Sequence, residues 1–262
     1  MFKLFNFKII VSVALILVCS TVFISMAHAS ENRKFPIDLN EYPASLKDNA
    51  LIEIDDNYSS GALGATQEEI DFWKGKTRPQ SELKIKASPF TKGSRLPAYW
   101  QPLSYAFYYY GQEANNTCSK ACLRMLMKSV TGSAPSESNI NLGAFASVNA
   151  MIIWIASNHG FQYYGGFNAS QATMEQNLDE TIADCNMPAI VGLGETTVSG
   201  WPYNLPNHYV SIYSIMSDQS WVAIADPWAG FIGDTNNRWY DRTFSVLYDA
   251  YRRPQIEIGY LW

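Results

Sequence analysis

Histidine and cysteine, the two side chains most often met at metal and nucleophilic sites, are rare in this chain, with three and four copies in 262 residues. The cysteines form no close pairs at zinc-binding spacings, so a structural or catalytic zinc is not expected, nor is any other cofactor. Positive charge is also in short supply. Nineteen Lys and Arg stand against 24 Asp and Glu, with no basic run or patch. Neither nucleic acid nor an anionic membrane surface is an expected partner. No internal repeats and no coiled-coil heptads are present. Beyond residue 29 no stretch is apolar enough to span a bilayer.

What is present begins with an address. Residues 1–29 carry Lys3 and Lys8, then an apolar run from Ile9 to Ile24, and end in Ala27-His28-Ala29, the small-x-small pattern cut by a signal peptidase. A single membrane anchor is the alternative, but the cleavage pattern argues for removal. Cys19 follows the bulky Val18, which is unsuited to a lipoprotein site. The mature chain is expected to start at Ser30, with about 233 residues, enough for one large domain. Losing two lysines takes its net charge to about −7. A periplasmic or secreted destination follows, with no stable membrane insertion after leader removal.

Charge marks one internal boundary. Residues 30–99 hold 21 charged side chains, while 100–262 hold 20 in more than twice the length. The first stretch also contains Pro36, Pro43, Pro79, Pro89 and Pro97, with one short helix expected from Thr66 to Trp73. Residues 30–95 therefore read as an arm, either wrapped over the following domain or acting as an inhibitory pro-segment. Residues 96–262 read as the main domain.

Within that domain, Lys120, Arg124 and Lys128 recur every four residues through 118–131, one polar stripe on an otherwise apolar helix. Asn116 and Thr117 are N-cap candidates, and Gly132 is a natural stop. Cys118 then falls in the first turn, where the helix dipole and free N–H groups favour a thiolate. Cys122 lies one turn deeper on the same side. Gln112, six residues before Cys118, is placed to aim an amide N–H at an oxyanion beside the Cys118 backbone N–H.

A base and an orienting carboxylate come from further along. Residues 208–215 alternate, as do 221–226, with Ser217 to Ser220 between them as a turn. A turn centred on position 217 sets His208 opposite Asp226. Both share parity with Val210, Ile212, Val222 and Ile224, so one apolar face ends in an imidazole and a carboxylate. A core histidine satisfied by a nearby acceptor is the plainer alternative. His159 follows a helix expected over 145–156 and precedes Gly160, the position of a structural histidine at a helix C-terminus.

A thiol nucleophile needs a base, an orienter and an oxyanion donor, and Cys118, His208, Asp226 and Gln112 can supply all of these. The mature chain holds Cys118, Cys122 and Cys185, an odd number in a disulfide-permissive compartment. A Cys122–Cys185 bridge would leave Cys118 free; three free thiols is the other arrangement. A Cys118–Cys122 bridge within one helix is geometrically poor.

The segment QEANNTCSKACLRMLMKSVTG resembles the nucleophile helix of papain-like cysteine peptidases of the bacteriocin-processing, double-glycine-leader group and its exported relatives. MPAIVGL, NHYVSIYSI and VAIADPWAGF are similar to that group's Pro-led strand, His strand and Asp-Pro end. The resemblance covers roughly 100–235. It implies Cys118 as nucleophile, His208 as general base and acid, Asp226 as orienter and Gln112 in the oxyanion hole. It further implies a papain-like α+β fold and a peptide or protein substrate. One departure is Ser119, where the group commonly has Gly, which would reshape the approach to the cleft. The leader is another, so processing at a transporter's cytoplasmic face is not implied.

The expected activity is amide hydrolysis by an exported cysteine peptidase. A peptidoglycan amidase or endopeptidase, a catalytically silent binding domain of the same fold, and acyl transfer to an amine stay open beside it. Trp201, Pro202, Tyr203 and Trp228 flank the His and Asp, as groove lining or as a cap on the sheet. The helical half should hold 118–131, 145–156 and a Ser170-capped helix to about Ala183. The mainly antiparallel sheet should comprise 188–193, 208–215, 221–226 and 255–261.

Overall fold

The structure, a computed structural model, describes residues 67–74, 76, 98–252 and 258–262. The expected leader, most of the arm and residues 255–257 of the strand expected over 255–261 lie outside these residues. The described part is α+β, with six α-helices and an antiparallel sheet. α1 (Gln67–Trp73) belongs to the arm and packs on the domain through Trp73, which is buried and donates Nε1–H to Asn149 Oδ1 at 3.1 Å.

β1 (Trp100–Pro102) precedes α2 (Cys118–Thr131), the expected amphipathic helix. Leu123, Met125, Leu126 and Met127 in α2 are fully buried, each worth about 1.5–3 kcal/mol by removal from water. Gly132 ends α2 in left-handed backbone (φ 78°), its N–H returning to Lys128 O. The polar stripe is half-buried rather than open. Tyr110 lies under the Arg124 guanidinium at 4.5 Å, and Tyr108 under Lys128 at 5.3 Å.

α3 runs Val148–His159, three residues later than expected at each end. Ser147 accounts for the start: its Oγ accepts the Ala150 N–H, so the helix begins there. Phe145 stays outside the helix and packs against Tyr209 instead, with ring centroids 4.8 Å apart. α4 (Gln171–Asp179) starts from Ser170 as expected, and a π-helical turn over Glu180–Asp184 extends it.

The remaining elements are β2 (Gly165–Gly166), β3 (Ala189–Glu195), β4 (Pro206–Met216), β5 (Trp221–Ala225), α5 (Pro227–Phe231), β6 (Trp239–Thr243), α6 (Phe244–Arg252) and β7 (Tyr260–Leu261). The sheet runs β2-β7-β3-β4-β5-β6, with β1 also paired to β4. β3 covers β4 from Pro206 to Ile212, and β1 takes over at Ser214 to Met216. α2 packs on β4, and α6 packs on β3. Among the described residues no helix is long and apolar enough to cross a membrane.

The β4–β5 hairpin corrects the expected register. Ser211 pairs with Ala225 and Ile212 with Ile224, so the pairing at the site end is symmetric about 218 rather than 217. His208 and Asp226 are consequently not opposite each other but diagonal. The register then shifts at Tyr213, an extra residue of β-bulge type, before Ser214 meets Ala223. Parity survives at the site end, because a shift of two leaves both side chains on the same face.

Candidate active site

β4 delivers His208 and the end of β5 delivers Asp226. Both are buried, His208 at 3 % exposure and Asp226 at 0 %. Diagonal neighbours on one sheet face lie close enough for long side chains to meet, and His208 Nε2 sits 2.7 Å from Asp226 Oδ1. Asn207, immediately before His208, holds left-handed backbone (φ 45°) between the paired positions Glu195↔Pro206 and Leu193↔His208.

Asp226 is fixed by its own sequence context. Followed by Pro227, it N-caps α5, and Oδ1 accepts the Trp228 N–H at 3.0 Å. Oδ2 accepts the Tyr240 hydroxyl at 2.6 Å. The main chain is held too: the Tyr109 hydroxyl donates to Asp226 O at 2.8 Å and accepts the Gly230 N–H at 2.7 Å. Burial pulls the His208 proton affinity down, but the Asp226 charge and hydrogen bond, with a smaller contribution from the neighbouring Cys118, more than offset it. The imidazole is pushed up to about 10.

Cys118 stands in the first turn of α2 and reaches the same imidazole. Thr117 is the N-cap residue but makes no side-chain cap; its Oγ1 bonds Ala114 instead. Cys122, one turn on, is fully buried beside Ser211, and burial pushes its thiol well above the ordinary cysteine value. That disqualifies Cys122 as a nucleophile at neutral pH. No disulfide joins Cys122 to Cys185.

Gln112 lies in the segment leading into α2, anchored to the other half of the site. Its backbone N–H donates to Pro227 O at 3.1 Å. Just before it, Gly111 crosses Gly230 of α5 so closely that a Cβ on Gly111 would sit 2.7 Å from the Gly230 Cα. The Gln112 side chain is buried, with Nε2 donating to Ala114 O at 2.7 Å and Asn115 O at 3.0 Å, while Oε1 has no partner. Exchanging the amide's ends would set Oε1 against two carbonyl oxygens, so the network fixes this orientation. Nε2 thus holds the loop, and donation to an oxyanion requires one of these bonds to be released.

Glu137, buried, supports the same loop. It accepts the Glu113 N–H at 3.1 Å beside Thr117, and burial raises its carboxyl above the usual range. Ser119 is buried within α2, where its Oγ accepts the Ala146 N–H at 3.0 Å. It ties the segment before α3 to α2.

The flanking aromatics divide. Trp201 is buried and stands edge-on to Tyr240, with centroids 5.7 Å apart, so it caps the buried pair. Tyr203 donates its hydroxyl to Asp234 at 2.8 Å. Trp228 is half-buried and leans on Phe231, whose side chain is exposed. His159 packs on Trp154 at the end of α3, far in sequence from the other site residues, and burial lowers its pKa.

Sequence reasoning missed Tyr240, Tyr109 and Glu137. The strand-favouring Trp239, Tyr240 and Thr243 were the available signal for the strand that carries Tyr240. Among the described residues no cluster of three or more His, Cys, Asp and Glu could hold a metal ion. A scan against protein-family models matches no family, and a search of curated proteins finds no match to the chain.

Proposed function

We propose that this chain is an exported, papain-like cysteine peptidase that hydrolyses peptide or protein amides through a Cys118 acyl-enzyme. One observation carries the reading. A buried imidazole is tied through Nε2 to a buried carboxylate at 2.7 Å, and Cys118, at the start of a helix, lies near enough to raise the proton affinity of the same ring. With Nε2 engaged by Asp226, Nδ1 is the nitrogen available to the thiol. The leader pattern of residues 1–29 supports export to the periplasm or beyond.

In this mechanism the Cys118 proton passes to His208, and Sγ attacks the amide carbonyl carbon. The C–N bond breaks as His208 returns that proton to the leaving amine. Water then gives a proton to His208 while its oxygen attacks the thioester, releasing a carboxylic acid and the Cys118 thiol. Asp226 holds the ring orientation and balances the imidazolium charge throughout. The Cys118 backbone N–H and a released Gln112 amide would meet the oxyanion.

A catalytically silent domain of the same fold is the second reading, favoured by the engagement of Gln112 Nε2 with two carbonyls. Digestion of a mixed peptide library by the mature protein separates the two. Cleavage that disappears in a folded Cys118→Ala variant supports the peptidase, and cleavage retained in that variant ends it. Release of peptidoglycan fragments in place of peptide cleavage would move the substrate to the cell wall.

A further inference from the structure

The carboxylate of Asp226 has two oxygens with different partners. Oδ1 is shared by His208 and the Trp228 N–H, whereas Oδ2 accepts the Tyr240 hydroxyl. The register makes this contact possible. Tyr240 pairs with Ile224, so its side chain projects on the face that carries Asp226 two residues further on. We infer that Tyr240 is a positioning residue for the proposed reaction, acting on His208 through Asp226. It pins Oδ2 so that Oδ1 faces the imidazole, and it draws off negative charge that would otherwise act on the imidazolium. The inference rests on Cys118, His208 and Asp226 being the catalytic set.

The physical argument turns on burial. An O–H donor to an ionised oxygen at 2.6 Å is a charge-assisted hydrogen bond, about twice the strength of a neutral one. Asp226 is wholly withdrawn from solvent, so no bulk water stands ready to replace the donor. Removing the hydroxyl leaves the charge of the carboxylate concentrated towards His208. The imidazolium then binds its proton more tightly, and the carboxylate loses one of the bonds that fixes its plane.

Several groups surround this pair. His208 faces it from β4, and the Arg242 guanidinium of β6 lies 4.5 Å over the Tyr240 ring. Tyr203 and Trp201 approach from the segment between β3 and β4. Tyr109 holds the Asp226 carbonyl, and Cys118 and Cys122 lie on the α2 side. Burial, followed by the Asp226 charge, pushes the Tyr240 phenol well above its ordinary value. It therefore remains a proton donor across the range in which His208 titrates.

The test is an NMR titration of histidine-labelled mature protein, wild type beside Tyr240→Phe, with Cys118 alkylation by iodoacetamide followed in parallel. The His208 midpoint should rise in Tyr240→Phe by about half a pH unit, roughly threefold in proton affinity. A midpoint that is unchanged or lower overturns the inference. Should Tyr240→Phe fail to fold, the wild type carries the test: the Tyr240 hydroxyl proton must shift through the His208 titration, and a resonance that ignores it overturns the coupling. Alkylation in His208→Ala separates this from the parent reading. Alkylation unaffected by His208→Ala would remove the catalytic set, and Tyr240's role with it. Alkylation that depends on His208, with an unmoved midpoint in Tyr240→Phe, would overturn the Tyr240 role alone.

Discussion

Asp226 and Gln112 are both buried polar side chains on segments that meet at Pro227, yet they are held in opposite ways. Asp226 uses both oxygens in three hydrogen bonds, to an imidazole, a backbone N–H and a phenol. Gln112 directs its amide nitrogen to two carbonyls of its own loop and leaves Oε1 without a partner. The sheet half of the site is thus held by strand register and a helix cap in the arrangement the proposed reaction calls for. The loop half is set by local backbone and has to exchange a bond before it can serve an oxyanion. A base and orienter are readily prearranged because their charges oppose each other. Oxyanion donors act best when preorganised, so the engagement of Gln112 Nε2 with its own loop is a cost to the proposed reaction.

Breaking the sheet half should have the largest effect. Asp226→Asn removes the charge that raises His208, and Cys118 alkylation at neutral pH should slow by about 10²–10⁴-fold. The same substitution alters stability against pH. His208 carries a raised folded-state pKa, so its contribution is fully present below the ordinary imidazole value and is lost as pH rises towards about 10. Thermal unfolding of the wild type should show that decline above about pH 6.5, and Asp226→Asn should abolish it. Persistence of the slope in the variant would sever His208 from Asp226.

Gln112→Ala tests the loop half. As an oxyanion donor alone, Gln112 should affect turnover but not alkylation, which forms no oxyanion. As a loop anchor it should affect both, and the expected result is a fall of about tenfold in alkylation with a fall of about 10²-fold in turnover. Unchanged alkylation would show that the two carbonyl contacts do not hold Cys118 in place.

Gly111→Ala strikes the junction of the halves and should have the smallest effect of the three. A Cβ 2.7 Å from the Gly230 Cα must push two backbones apart, at a cost of about 1–3 kcal/mol in denaturant unfolding. Alkylation should slow by a few-fold, since the shift is shared between Gln112 and Asp226. A neutral substitution would mean that the crossing is not tight in solution.

The elements that were legible in the sequence carry local marks. The stripe of Lys120, Arg124 and Lys128 and the stop at Gly132 give α2, and the turn residues after Met216 give the hairpin. The Asp-Pro pair at 226–227 marks a helix start. What was not legible depends on distant partners. The bulge at Tyr213 has no signature of its own, and the Tyr213 ring stacks on Phe107, 106 positions earlier, with centroids 5.0 Å apart. The hairpin turn falls later than expected and the bulge recovers one residue of that shift, which leaves His208 diagonal to Asp226 on the same face. Tyr240 could be found only once β6 was known to lie beside β5, because nothing near it in the sequence points to Asp226. For α3 the mark was there, in Ser147 three residues before Ala150, but an unbroken apolar run concealed which turn came first.

The central claim is that Cys118 and His208 act as one unit. The direct measurement is the pH dependence of Cys118 alkylation in the folded mature protein, located by peptide mapping, beside His208→Ala. Alkylation that stays fast into acidic pH and loses that behaviour in His208→Ala is the predicted result. Alkylation that rises only near pH 8–9, as for an ordinary thiol, and is the same in both proteins would contradict it.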